Sequence, residues 1–246
     1  MLTPLKWPDS TIRGPIVPGE VHLWAWPLEP SPVDLAAHIE ILDHEELHRM
    51  HGFRFAADRS RYAVAHANLR RILGAYLGRL PERICFRANH FGKPELAEED
   101  PTSLLRFSLS HSRSVAVLAL ALELPVGVDV EDVRPIEAEV AEAHFSTTEI
   151  SALGSLHGDA WLSGFYRCWT RKEAILKAEG VGLHLALDGF DVSLLPDVPP
   201  ELLGTREPVH FRYPWKLHDV SPASGTIGAL ATPYSQAKLA CFSFLS

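Results

Sequence analysis

Cysteine is scarce in this chain. Its 246 residues hold three, Cys85, Cys168 and Cys241, too few and too scattered for a disulfide framework or a paired-cysteine zinc site. The set suits a reducing compartment, and the expected location is the cytoplasm. Long hydrophobic runs are missing too. The best, VAVLALALELPVGVDV from Val115, is interrupted by Glu123 and Pro125 and falls short of the ~20 apolar residues that span a bilayer. No membrane role is expected. The opening MLTPLKWPDSTIRGPIVPGE has neither the basic start nor the unbroken apolar core of a secretion signal. Positive charge is in deficit, 23 Lys and Arg against 31 Asp and Glu, a formal net charge of −8. That balance argues against nucleic acid as the main partner, while leaving room for a local basic patch. A GxSxG nucleophile elbow is absent, and so is a dense run of glutamates on one helix.

What is present reads as an α+β protein. VHLWAW (21–26) alternates and is aromatic-rich, as a strand is. Leu35, Ile39, Leu42, Leu47 and Met50 recur at helical steps, predicting one helix from Ser31 to His51. A second helix is predicted from Ala57 to Leu77, stopped by Gly78 and Pro81. RICFRA, LRFSLS, SVAVLALAL and PVGVDVE follow as strand candidates. The plan then repeats: EAEVAEAHF and TTEISALGSL as helices, and DAWLSGFYRCWTRKEAILKAEG as a long helix with Asp159 as its N-cap. GFDVSLL, VHFRYPW and AKLACFSFLS are the closing strands, and the proline-rich LLPDVPPELLGTREP (194–208) is a surface loop. Two similar α+β halves are expected, 1–123 and 124–246, joined near residues 123–135.

Several short stretches carry chemistry. On the long helix Trp161, Phe165, Trp169, Glu173 and Lys177 are each four apart and form one drifting stripe. It begins as core and ends in a carboxylate and an ammonium, either in a cleft or as an exposed i,i+4 pair. Arg171 and Lys172 point the other way and read as surface charges, and Arg70 and Arg71 as a solvated basic face. In VGVDVE, Asp129 and Glu131 share one face of a strand, ~6.5–7 Å apart. Two carboxylates so close repel each other unless a cation lies between them, and magnesium favours such hard oxygen donors; the alternative is a half-exposed strand with an acidic outer face. FSLSHSRS presents Ser110 and His111 where one strand ends and the next begins. Their side chains point to opposite faces, which disfavours a nucleophile–base pair. FGKPEL is a tight turn exposing Lys93.

Taken in order, G-K-P, S-H-S, G-x-D-x-E and W-x-x-K-E-A-x-x-K with a G-x-G-L tail, the stretches resemble the phosphopantetheinyl transferases of the surfactin-synthetase-activating type. The W and K-E-A spelling is similar to the subgroup serving polyketide, nonribosomal peptide or related lipid synthases, fatty acid synthesis among them. The resemblance implies a pseudo-dimer with the active site in the cleft between its halves, acting as a monomer. It implies transfer of the 4'-phosphopantetheine arm of coenzyme A to a serine of an apo acyl or peptidyl carrier protein, with release of adenosine 3',5'-bisphosphate and a need for magnesium or manganese. Asp129, Glu131 and Glu173 would hold the metal, and Lys177 would stabilise the leaving phosphate. Glu173 would act as base, directly or through a metal-bound water. Lys93 would lie near the adenine, and Ser110, His111, Arg54 and Arg61 near the 3'-phosphate. The loop after Gly180 and the helix from Ala138 would help form the carrier surface. Two other readings of the same carboxylates are a metal-dependent coenzyme A pyrophosphatase and a non-catalytic coenzyme A or carrier binder.

Overall fold

Residues 20–27 alternate between two cores. Val21, Leu23 and Ala25 face one way and Trp24 and Trp26 the other, all buried, so strand β1 (Glu20–Pro27) lies inside a sheet covered on both faces. The computed structural model describes residues 7, 15–29, 31–97 and 104–244. In the first half β1 is followed by helices α1 (Pro32–Ile39), α2 (His44–Gly52) and α3 (Ala56–Leu77), a short hairpin β2 (Phe86–Ala88) and β3 (Pro94–Leu96), and strands β4 (Leu105–His111) and β5 (Val115–Leu122). The second half holds β6 (Gly127–Asp132), α4 (Ala138–His144), α5 (Thr147–Gly154), α6 (Asp159–Glu179), β7 (Phe190–Val192), β8 (Leu202–Thr205), β9 (Lys216–Val220), β10 (Thr226–Thr232) and β11 (Lys238–Ser243). This is an α+β protein of two helix-and-sheet parts.

The larger sheets run β11-β1-β5-β4 and β6-β10-β9. Side-chain parity fixes how they stack. Val117 and Ala119 of β5 meet Val128 and Val130 of β6 and Leu230 of β10 in a core between the sheets. The alternate residues of β5, Ala116, Leu118 and Leu120, meet Leu69, Ile72 and Leu73 of α3. Ala229 and Ala231 of β10 turn outward onto Ile175 and Leu176 of α6. The layers are therefore helix, sheet, sheet, helix. The final strand crosses back: β11 pairs parallel with β1, from Glu20 opposite Lys238 to Ala25 opposite Ser243.

Several expectations need correction. The single helix over 31–51 is two, because Asp43 begins α2 with a capping box: it accepts from Glu46 N at 2.9 Å while Glu46 accepts from Asp43 N at 3.1 Å. The N-cap of α6 is Gly158 at φ 53°, not Asp159. VHFRYPW is not a strand. Strands β9 and β10 lie where none was expected, and β8 lies within the predicted loop. Gly228 and the small residues of TIGALAT hide β10, yet a Cβ at Gly228 would stand 2.5 Å from Asp129 O and 2.8 Å from Val220 O. Four presumed surface cations divide. Arg70, Arg171 and Lys172 are fully buried, and Arg71 is half-buried. Arg70 donates to Glu46 at 2.6 Å and Ile84 O at 2.7 Å. Lys172 pairs with Glu149 at 2.8 Å and donates to Leu187 O at 2.6 Å, and Arg171 donates to Asp219 at 2.7 Å.

Candidate active site

The site begins at a glycine. A Cβ on Gly127 would fall 2.0 Å from Ala174 O and 2.4 Å from Ala178 N, so α6 crosses β6 at a distance only glycine permits. On β6, Asp129 and Glu131 share Gly127's face and look toward α6. Along α6 the rings of Trp161, Phe165 and Trp169 stack at 5.9 Å per step, and the same stripe delivers Glu173 and Lys177 beside Asp129. Lys177 Nζ lies 2.7 Å from Asp129 Oδ1 and 2.9 Å from Ser110 Oγ. Its bonds thus run to two strands rather than to Glu173, and the pair is not a solvated i,i+4 bridge.

Three acid side chains share this one ammonium. Asp129 is buried, and its Oδ2 has no hydrogen-bond partner, an expensive state for a carboxylate oxygen. Burial first, and then the charge of Asp129, hold both Glu131 and Glu173 above the ordinary carboxylate range. Among the described residues no three His, Cys, Asp or Glu already stand together as a finished metal site. Ser110 donates to Asp129 Oδ1 at 2.9 Å and accepts from Val130 N at 3.3 Å and from Lys177. That uses the whole capacity of a hydroxyl, so Ser110 meets a phosphate only by releasing one of these partners.

Beside this centre lie two cavities. One of about 490 Å³ is lined by Arg49, Tyr62, His66, Arg87, Pro94 and His111 among others. A shallower one of about 200 Å³ gathers Arg61, His111, Ser112 and Arg113. His111 belongs to both. Burial, followed by the neighbouring His66 and Lys177, keeps its imidazole below the ordinary value. Arg61 also pairs with Asp58 at 3.0 Å. Arg54 lies over the exposed Phe55 ring at 5.4 Å, next in the chain to Phe53 of the shallower cavity's wall, and itself lines neither cavity. Lys93 points between the halves, with Nζ 3.4 Å from Val126 O and 3.5 Å from Ala178 O, and burial pushes its amine down to about 8.

Sequence reasoning passed over Arg49, His66, Arg113 and Asn89. Asn89 Oδ1 accepts from Phe91 N and Lys93 N, while Nδ2 donates to Gly180 O at 2.9 Å. This ties the G-K-P turn to the left-handed cap of α6, Gly180 at φ 72°. Its signal was in the chain: an Asn three residues before Gly92 in NHFGKP is a turn-forming Asx. Arg49 and His66 had no local signal, because only the packing of α2 on α3 brings them together.

The family model described as the 4'-phosphopantetheinyl transferase superfamily matches residues 125–229, and one described as 4'-phosphopantetheinyl transferase, N-terminal, matches 25–123. The chain is 34% identical over 214 residues to the 4'-phosphopantetheinyl transferase HetI of a Nostoc strain, covering 86% of this chain and 87% of that protein. It is 32% identical over 170 residues to a Bacillus subtilis 4'-phosphopantetheinyl transferase, covering 68% of this chain and 74% of that protein. Neither the pyrophosphatase nor the non-catalytic reading finds support in these relatives. The chain belongs to the 4'-phosphopantetheinyl transferase superfamily and is a phosphopantetheinyl transferase.

Proposed function

We propose that Asp129, Glu131, Glu173 and Lys177, at the crossing of β6 and α6, are the reaction centre of the transfer from coenzyme A to a carrier serine. The observation that carries this reading is the buried Asp129, bound to Lys177 on one oxygen and left without a partner on the other. In the reaction the serine hydroxyl oxygen bonds to the phosphorus nearest the pantetheine. The bond from that phosphorus to the bridging oxygen breaks, and adenosine 3',5'-bisphosphate departs with the electron pair. Glu173, carried by α6 to the side of Asp129 and Lys177, is the side chain that accepts the serine proton. Lys177 holds the departing phosphate through its charge.

The donor set fits a divalent cation: hard oxygens, one orphaned, with more negative charge than Lys177 balances. Asp129, Glu131 and Glu173 would hold magnesium or manganese, which supplies charge neutralisation on the pyrophosphate. The two cavities with Arg49, Arg61, Arg113 and His111 are the place for the adenosine and 3'-phosphate end. Pro94 lines the larger of them, Lys93 lines a separate cavity of about 360 Å³ with Asn89 and Gly180 and serves the adenine end from there, and Ser110 and His111 link the two cavities to the centre. Arg54, next in the chain to Phe53 of the shallower cavity, adds positive charge for the 3'-phosphate. The division at 123/124, a monomeric state, a cytoplasmic location and action independent of nucleic acid and membrane belong to the same reading. No helix among the described residues is long and apolar enough to cross a membrane.

The test is the intact mass of an apo carrier protein incubated with this chain, coenzyme A and magnesium. A gain of one phosphopantetheine, stopped by EDTA and by Glu173→Gln, is expected. Undiminished transfer by a folded Glu173→Gln removes that residue from its role, and transfer unaffected by EDTA removes the metal.

A further inference from the structure

The two sheets do not join through a backbone ladder where β4 meets β6. Serine hydroxyls stand in for it. Ser108 Oγ accepts from Val128 N at 3.1 Å, Ser110 Oγ from Val130 N at 3.3 Å and Ser112 Oγ from Asp132 N at 2.9 Å, each 20 residues ahead in the chain. The repeat of two along both strands keeps the three on one face, so the seam has a fixed register.

Each hydroxyl still has its proton to give, and the residue 19 ahead decides where it goes. For Ser110 that residue is Asp129, at 2.9 Å. For Ser112 it is Glu131, at 3.1 Å on Oε2. For Ser108 it is Gly127, which has no side chain. The turn beyond is fastened as well, since Asp132 Oδ2 accepts from Arg113 N at 2.7 Å and Ser114 N at 3.1 Å. Ser112 is thus held by β6 backbone on one side and grips a carboxylate on the other.

We propose that Ser112 is a positioning residue: through its paired hydrogen bonds to Asp132 N and Glu131 Oε2 it sets the Glu131 carboxylate toward Asp129, as part of the cation-binding set. This rests on the metal reading given above. Ser112 touches no reacting atom. It fixes one rotamer of a flexible glutamate, so the carboxylate is already ordered when a cation arrives. Ser108 makes the same seam bond without any carboxylate, and therefore separates holding the halves together from aiming Glu131.

The experiment is manganese binding to the full chain without coenzyme A or carrier, read as free Mn2+ by electron paramagnetic resonance, with thermal melting on the same samples. Ser112→Ala is expected to weaken Mn2+ binding by about tenfold or more, and Ser112→Thr, which keeps the hydroxyl, to restore it. Ser108→Ala is expected to lower the melting temperature while leaving Mn2+ affinity at the wild-type level. If Ser112→Ala does not fold, Ser112→Cys, similar in size but a weak donor, carries the same expectation. Mn2+ affinity equal in wild type, Ser112→Ala and Ser108→Ala overturns the assignment and leaves the metal reading intact. Absence of Mn2+ binding by the wild type overturns both.

Discussion

Glu46 does three jobs with one carboxylate. It closes the capping box of α2, accepts from Arg70 Nε at 2.6 Å and contacts His66 Nδ1 at 2.9 Å. Burial alone would raise its proton affinity, but the bond to His66 and the charges of His66 and Arg70 outweigh it and hold the carboxyl below its ordinary range. A folded value below the unfolded one means that the unfolded chain binds more protons in acid. The stabilisation is complete above the unfolded value of about 4.3 and is lost as pH falls through the folded one. Urea midpoints of wild type should therefore drop more steeply in acid than those of Glu46→Gln, and parallel curves would remove Glu46 from this linkage. Lys172 and Glu149 form a second buried pair, with Glu149 also accepting from Val192 N at 2.8 Å. Removing one charge from such a pair costs about 3–5 kcal/mol, so Lys172→Met should lose that much in chemical denaturation. Adding Glu149→Leu should recover part of it.

Elements bring these residues to the site, and the decisive contact is α6 on β6. The opposing atoms at Gly127 are helix backbone, Ala174 O and Ala178 N, which cannot swing aside as a side chain can. Gly127→Ala should push α6 off β6, separate Lys177 from Asp129 and abolish carrier modification together with a fall in melting temperature. A variant transferring at the wild-type rate would show that the approach is not needed. The end of α6 is fixed just as closely. A Cβ on Gly180 would lie 2.9 Å from Asn89 Nδ2 and 3.1 Å from Lys93 Cδ, so the glycine-broken tail of the W-x-x-K-E-A helix is where the first half's turn docks.

Over the whole molecule the halves are interleaved. The closing strand β11 returns to the first sheet, Phe242 stacks on Trp24 at 4.6 Å, and Val21, Leu23 and Val117 share a core with Val128, Val220 and Leu230. A fragment of residues 1–123 alone would expose both that core and the β1 edge. Circular dichroism of this fragment should show no cooperative melting, whereas a sharp transition would make the first half an independent unit. The two-part plan is written in the sequence, and so is the sharing of one strand face by Asp129 and Glu131 and of one helix stripe by Glu173 and Lys177, since strand and helix periodicity are local; that the stripe faces the strand is not. The interleaving is not, because parallel pairing of strands far apart in the chain leaves no local pattern.

The sequence by itself determined the α+β class, the carboxylates on β6, the stripe ending in Glu173 and Lys177, and the family resemblance. Periodicity of two and of 3.6 residues is enough for the first three, and motif order for the fourth. Only the tertiary structure decided that Arg70, Arg171 and Lys172 are interior, and that Arg49, His66 and Arg113 line the two cavities. Burial of a cation depends on partners supplied from elsewhere in the chain: Asp43 and Glu46 for Arg70, Glu149 for Lys172 and Asp219 for Arg171. A single helix's spacing carries no record of them.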